Sequence, residues 1–115
     1  MDVNKADNLK ISGDISIKLG NTLDNNPLGD IKYTQKVIKQ MEKGDYHNFP
    51  TNVDDYGDYG TVGSLIGGDG VVRTKVTIEG TYDGKNGVFE YILEPDGSTC
   101  NHRLFKPEKK KGGVQ

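Results

Sequence analysis

The sequence has few of the residues that build disulfides, zinc centres and membrane spans. A single cysteine, Cys100, excludes an internal disulfide and the multi-cysteine metal sites. With only two histidines beside it, the chain matches no standard zinc spacing. No apolar run approaches the roughly 18 residues that a membrane-spanning helix needs. The 115 residues, with an apolar share of 32% and 16 glycines, suffice for one domain with a modest core.

An excess of positive charge is also missing. Fifteen Lys and Arg against 17 Asp and Glu give a net charge of −2, which excludes a broadly basic surface that binds nucleic acid by bulk electrostatics. Residues 61–115 hold six lysines, two arginines and seven acids, whereas residues 1–60 hold seven lysines, no arginine and ten acids. A nucleic-acid site in this chain must therefore be a local cluster.

The pattern of turns and apolar residues divides the chain into three parts. In residues 1–30, Ile11, Ile15, Ile17 and Leu19 alternate with polar residues, a pattern that suits a half-buried strand and that Gly13 and Asp14 weaken. A turn-rich stretch follows, and the whole is expected to be a variable or loosely ordered leader. Residues 31–107 carry the helix and strand patterns of the domain itself. Residues 108–115 are lysine-rich and are expected to form a solvated tail.

The domain is predicted to have helices first and strands afterwards. A helix is expected over residues 34–43, with Thr34 as its N-cap, and a second from Thr51, where a capping-box pattern begins. Four strands are then predicted: residues 62–66, 72–79, 88–93 and 99–105. Apolar and polar residues alternate cleanly in 72–79, whereas 88–93 is apolar on both faces and is expected to be central. This order favours an α+β fold in which N-terminal helices pack on a four-stranded antiparallel sheet and leave its other face open.

Two histidines are the strongest candidates for proton transfer. His47 lies between the predicted helices and His102 lies on the last strand. Imidazole exchanges protons near neutral pH, so two histidines that converge on one cleft can form an acid–base pair. The alternative is that each is a structural histidine; the polar neighbours of His102 favour function there.

Charged residues on the strands provide candidates for phosphate binding. Arg73 and Lys75 are two apart on one strand, so both side chains lie on the same face and can together clamp a phosphate. The alternative is a solvated strand face. Glu90, on a central strand, is expected to act as a base, to orient a cation, or to pair with one of these two residues.

Further candidates follow from their position near the last strand. Arg103 is adjacent to His102 and reaches the same site only through a bulge; otherwise it is structural. Tyr82 and Tyr91 are candidates to stack on bases, the alternative being that they pack in the core or at its rim, and Thr99 is the remaining candidate for substrate binding. The Asp54 and Asp55 pair offers at most a weak cation site, since it lacks the calcium-loop pattern.

Several stretches, taken in order, carry a family resemblance. They are Tyr33-Thr34-x-Lys36-Val37, His47-Asn48-Phe49-Pro50, Gly67-Gly68-Asp69-Gly70-Val71-x-Arg73, Gly80-x-Tyr82, Gly87-Val88-Phe89-Glu90-Tyr91-Ile92 and Asn101-His102-Arg103-Leu104-Phe105-x-Pro107. Over roughly residues 33–107 the chain resembles the C-terminal toxin domains of bacterial polymorphic toxins of the LXG and contact-dependent-inhibition kinds. The resemblance implies a ribonuclease of the barnase, EndoU, colicin and RelE-like class, which cleaves RNA on the open face of its sheet.

The resemblance also implies a setting and partners. Such a domain is delivered as the C-terminal part of a larger secreted toxin and acts in the cytoplasm of the target cell. Its substrate is RNA, with tRNA one candidate, and a dedicated immunity protein neutralises it. The expected assembly is a monomer or a toxin–immunity heterodimer, with no membrane span.

A metal-independent mechanism follows, because RNA carries its own nucleophile in the 2′-OH. The enzyme then needs a base, an acid and cations for the charged phosphorane. The expected acid–base pair is His47 and His102, with Arg73, Lys75 and Glu90 beside it and no cofactor. Two alternatives stay open: a non-enzymatic protein-binding α+β module, and a metal-dependent DNase toxin that uses Asp54 and Asp55.

Overall fold

The structure is a computed structural model that describes residues 8–20 and 22–108. Within these residues it has an α+β fold, which confirms the predicted class. Its strands are β1 (Asn8–Ser12), β2 (Ile15–Lys18), β3 (Lys32–Tyr33), β4 (Thr61–Ile66), β5 (Val72–Tyr82), β6 (Lys85–Leu93) and β7 (Thr99–Pro107). Its helical segments are α1 (Gln35–Met41) and two 3₁₀ helices, Tyr46–Asn48 and Thr51–Tyr59.

The sheet is larger than the sequence predicted. Strands β4 to β7 form the expected antiparallel meander, but the described sheet has seven strands in the order β1-β2-β5-β6-β7-β3, with β4 also paired to β5. β3 pairs with β7 in parallel, so the sheet is mixed. The prediction of four antiparallel strands was therefore wrong. Two of the added strands are short and β3 has only two residues, which is too few to produce a periodic pattern.

The first described residues belong to the domain. β1 and β2 form a hairpin that pairs with β5, and Ile15 and Ile17 are fully buried in the core together with Leu28. The hairpin and Leu28, which the sequence assigned to the leader, thus belong to the sheet and core. Residues 1–7 of that leader, residue 21 and residues 109–115 of the predicted tail lie outside the described residues.

The first predicted helix is present in the structure, whereas the second has a different form. α1 begins at Gln35 because the Thr34 hydroxyl oxygen accepts a hydrogen bond from the Val37 N–H at 3.2 Å. The second predicted helix is a 3₁₀ helix whose N-cap is Pro50, without a side-chain cap. Asp54, which was expected to complete a capping box, is instead turned into the interior.

The helical segments cover one face of the sheet, which we call the covered face. Aromatic rings fill the space between the two layers: Phe89 contacts Phe49 and Phe105 at ring-centroid distances of 4.9 and 4.8 Å. Such edge-to-face and tilted contacts add to the stabilisation from buried area. The opposite face, which we call the open face, carries the alternate side chains of β5, β6 and β7.

A buried ion pair joins β7 to the helical layer. The guanidinium of Arg103 is fully buried and stacks on the Phe49 ring at 3.6 Å from the centroid. It donates hydrogen bonds to the carbonyl oxygens of Phe49 and Pro50 at 2.8 and 3.1 Å and to Asp54 Oδ1 at 2.9 Å. The Tyr91 hydroxyl also donates to Asp54. Burial, and then the neighbouring Asp54 charge, raise the pKa of Tyr91 well above its usual value.

These contacts correct two expected roles. Arg103 and Tyr91 were expected to bind RNA, but both side chains are fully buried and face the helical layer. A third tyrosine, Tyr33 of β3, also donates its hydroxyl hydrogen to Asp54. A carboxylate that one cation and two hydroxyls already occupy anchors the core, and it is not available to bind a metal ion.

We expect Arg103→Met to destabilise the protein strongly, because it leaves the Asp54 carboxylate buried without its cation. The free energy of unfolding should fall by about 3–5 kcal/mol, as is typical when one partner of a buried pair is removed. Urea denaturation of both proteins measures this difference.

The matched control is Glu79→Gln, which breaks the exposed ion pair between Lys18 and Glu79, 3.5 Å long. Exposed pairs contribute about 0–1 kcal/mol, so this variant should unfold close to the wild-type midpoint. Equal effects of the two substitutions would show that Arg103 is not the anchor.

Candidate functional site

Four side chains meet on the open face around one carboxylate. Glu90 comes from β6, His102 and Lys106 come from β7, and Lys75 comes from β5; we call this group the Glu90 cluster. The antiparallel register places Lys75 and His102 opposite the same residue of β6, Ile92. Because alternate side chains share a face, Glu90 lies two positions from Ile92 on that same side.

The distances make Glu90 the centre of the cluster. Its Oε1 lies 2.9 Å from His102 Nε2, and its Oε2 lies 3.1 Å from Lys75 Nζ and 3.8 Å from Lys106 Nζ. The Glu90 side chain is only 8% exposed, whereas those of His102, Lys75 and Lys106 are 28%, 41% and 54% exposed. The carboxylate is thus covered, and the basic groups form the layer that meets solvent.

The cluster is positive in a chain that is negative overall. Burial alone would raise the pKa of Glu90, but the hydrogen bonds from Lys75 and His102 outweigh it and hold that pKa below its ordinary value. Glu90 is therefore ionised at neutral pH. Two ammonium groups and one carboxylate leave a charge of +1 even when His102 is neutral, which is the local cluster that an anionic ligand requires.

A bulge at Asn101 directs His102 toward the open face. Leu93 lies opposite Cys100 and Ile92 lies opposite His102, so Asn101 is an extra residue in β7. The bulge shifts the alternation so that Cys100 and Arg103 both point into the core and His102 points outward. The Cys100 thiol donates a hydrogen bond to the His102 carbonyl oxygen at 3.2 Å, and burial raises its pKa to about 11.

The bulge is held by a series of polar contacts on the open face of the sheet. Asn101 Nδ2 donates to Glu94 Oε2 at 2.6 Å, and Glu94 Oε1 accepts from Arg73 Nε at 2.8 Å. Arg73 also donates to both Asp69 oxygens, at 3.2 and 3.0 Å. The hydrogen bond from Arg73 is the main reason that the pKa of Asp69 is lowered to about 2.

Arg73 is consequently not part of the predicted phosphate clamp. It shares the open face with Lys75, as expected, but its three nitrogens are engaged by Asp69 and Glu94. The cation that does stand beside Lys75 is Lys106. Lys106 was not among the residues predicted from the sequence, although its spacing of four residues from His102 places it on the same face of the strand.

His47 is not brought to the Glu90 cluster. It lies on the first 3₁₀ helix, where its neighbour Tyr46 contacts the core ring of Phe105 at a centroid distance of 5.6 Å. This segment therefore lies over the covered face, across the sheet from His102. The His47 ring bonds to Asp45 Oδ1 at 2.9 Å. Because the two histidines lie on opposite faces of the sheet, they do not form the expected pair over one cleft.

The other predicted substrate-binding residues also lie away from the Glu90 cluster. Tyr82 packs against Phe105 on the covered face, with ring centroids 5.5 Å apart. Thr99 is the first residue of β7, and its hydroxyl donates to Asp96 Oδ2 in the preceding turn at 2.6 Å. Neither side chain contacts the residues around Glu90.

The structure gives no support to a metal site at the aspartate pair. In the part of the chain that is described, no three His, Cys, Asp or Glu residues are placed to hold a metal ion. Asp54 is engaged by Arg103, Tyr33 and Tyr91. None of the helices in the described residues is long and apolar enough to span a membrane.

Comparison of the chain with protein-family models, with curated proteins and with solved structures finds no match. The resemblance to toxin domains thus remains a hypothesis, based on the residues quoted for it.

The lowered pKa of Glu90 predicts a specific dependence of stability on pH. A carboxyl whose folded pKa is below its unfolded value stabilises the protein above the unfolded pKa, and this contribution disappears as the pH falls through the folded pKa. The ordinary pKa of a glutamate carboxyl, which applies to the unfolded chain, is about 4.5. The stability difference between wild type and Glu90→Gln should therefore be largest near neutral pH and shrink below about pH 4.5.

Urea denaturation over a series of pH values from neutral to acidic measures this difference. Lys75→Met supplies a second test, because loss of that hydrogen bond should move the acid loss of stability to higher pH. A wild-type advantage over Glu90→Gln that stays constant across the whole series would contradict the assigned role of Glu90.

Proposed function

We propose that the protein is a metal-independent endoribonuclease and that the Glu90 cluster is its site. One observation carries the proposal: an imidazole on the open face is held at Nε2 by one oxygen of a covered carboxylate, and two lysine ammonium groups lie at its other oxygen. A histidine oriented through one ring nitrogen by a carboxylate is a recurring arrangement for proton transfer. The nearby positive charge suits a phosphodiester.

The exposure of each group assigns its role. His102 Nε2 is bonded to Glu90, and within the described residues no hydrogen bond engages its other ring nitrogen, Nδ1. His102 is therefore the base that meets the substrate. Glu90 is too covered to touch RNA, so it acts as a positioning residue for the imidazole ring. Lys75 and Lys106 are more exposed and bind the phosphate oxygens, whose charge grows in the phosphorane.

The reaction uses the nucleophile that RNA carries. His102 removes the proton from the 2′-OH, and the 2′-oxygen attacks the adjacent phosphorus. The bond from phosphorus to the 5′-oxygen then breaks, which leaves a 2′,3′-cyclic phosphate and a 5′-hydroxyl. The leaving oxygen takes its proton from water, which the open face admits, rather than from the distant His47. DNA lacks the 2′-OH and is not a substrate of this mechanism.

The biological setting proposed for this activity is competition between bacteria. The domain acts as the C-terminal part of a larger delivered toxin and cleaves RNA, tRNA being one candidate, in the cytoplasm of the target cell. A cognate immunity protein neutralises it by covering the open face with acidic side chains. The resemblance over residues 33–107 and the positive charge of the Glu90 cluster support this setting.

A second candidate is a protein-binding module without catalysis. The aromatic side chains of β5, β6 and β7 lie on the covered face: they are Tyr82, Phe89, Tyr91 and Phe105. These strands therefore offer bases no stacking platform on the open face. A polar surface of paired charges without rings is also suited to a protein partner.

A comparison of the two histidines tests the ribonuclease proposal. Single-stranded RNA should be cleaved in the presence of EDTA, and His102→Ala should lower the rate by about 10²–10⁴-fold, the usual contribution of one proton-transfer group. His47→Ala is the matched control and should cleave at nearly the wild-type rate. Circular dichroism verifies that both variants are folded.

Three outcomes would count against the mechanism. Undiminished cleavage by folded His102→Ala would show that His102 is not the base. Inhibition by EDTA would show that the reaction depends on a metal ion. A wild-type protein that cleaves no RNA but binds a protein partner through Lys75 and Lys106 would favour the second candidate.

A further inference from the structure

The outer side of β4 lies at the border of the described sheet. β4 pairs with β5 and with no further strand among the residues that the structure describes. Five of its six residues are exposed. The backbone N–H and C=O groups along such an edge form a template for pairing with another strand.

This edge lacks the usual protection against pairing. Proteins commonly place charged side chains or proline on free edges. β4 reads Thr-Val-Gly-Ser-Leu-Ile and has neither, whereas the edge strands β1 and β3 carry Lys10 and Lys32. Its side chains Val62 and Ile66 are 45% and 72% exposed, so an apolar row accompanies the open backbone edge.

We propose that β4 pairs with β4 of a second copy of this chain, antiparallel, about a two-fold axis at Ser64. A two-fold axis perpendicular to the sheet keeps each face continuous, so residues that oppose each other must lie on the same face. With the axis at Ser64, Val62 of each copy opposes Ile66 of the other. On the other face, Gly63 opposes Leu65, and the large side chain covers the space above the glycine.

The sequence of β4 favours a second copy over a foreign strand. Pairing about a two-fold axis brings identical strands together, and charges near that axis would meet charges of the same sign. β4 has none, and its small and large residues complement each other on either side of Ser64. The sheet would then run through both copies, with both Glu90 clusters on one continuous face. The pairing does not depend on the proposed catalytic function.

Sedimentation velocity tests whether the chain dimerises. The full chain should shift from monomer to dimer as its concentration rises from about 5 to about 200 µM, since a two-copy equilibrium depends on concentration. Ser64→Lys places two ammonium groups at the axis and should abolish the dimer. Asn8→Lys, at an exposed position of the edge strand β1, is the control and should dimerise like wild type.

Disulfide formation tests the register independently of charge. In the paired strands the two Ser64 positions face each other with Cβ atoms about 4.5–5.5 Å apart, so oxidised Ser64→Cys should form a covalent dimer. Thr61→Cys is the control, because its two copies are offset by six residues, about 20 Å along the strand. Wild type that stays monomeric at the highest concentration, or equal cross-linking of the two cysteine variants, overturns the proposal.

Discussion

The burial of Arg103 is the constraint on which the rest of the structure depends. A guanidinium without water needs acceptors, and here the Asp54 carboxylate and the carbonyl oxygens of Phe49 and Pro50 provide them for its two terminal nitrogens, whereas its Nε has no partner among the described residues. These acceptors belong to the helical layer, so the ion pair fixes how that layer lies on β7. Because adjacent strand residues point to opposite faces, an inward Arg103 requires an outward His102. The interior of the protein thus determines which side chain its open surface presents.

The elements that the sequence predicted correctly are those with local causes. Thr34 caps α1 through its own hydroxyl group, and the alternating side chains of β5 report which face is buried. β3 could not be found in this way, since its two residues are held by parallel pairing with β7, far along the chain. Asp54 misled the prediction because its partner, Arg103, is 49 residues away. Local patterns carry no record of such distant partners.

Some residues of the candidate site were likewise predicted from the sequence and others were not. Lys75 was identified from the alternation of its strand, Glu90 from its place on a central strand, and His102 from its imidazole and polar neighbours. The structure brings these three together. Arg73 was predicted as a phosphate ligand, but Asp69 and Glu94 engage it from a turn and from the end of β6. The bulge at Asn101 has no clear signature in a single sequence. Yet this bulge directs His102 toward the open face. The orientation of the proposed base therefore depends on the feature that was hardest to predict.

The buried thiol beside this bulge has a practical consequence. Cys100 is fully buried, its thiol is hydrogen-bonded, and its pKa of about 11 keeps it protonated at neutral pH. Thiol reagents attack the thiolate, so alkylation must wait until the sheet opens and admits solvent. The alkylation rate of Cys100 therefore measures how often β7, the strand that also carries His102, opens locally, and no introduced probe is needed.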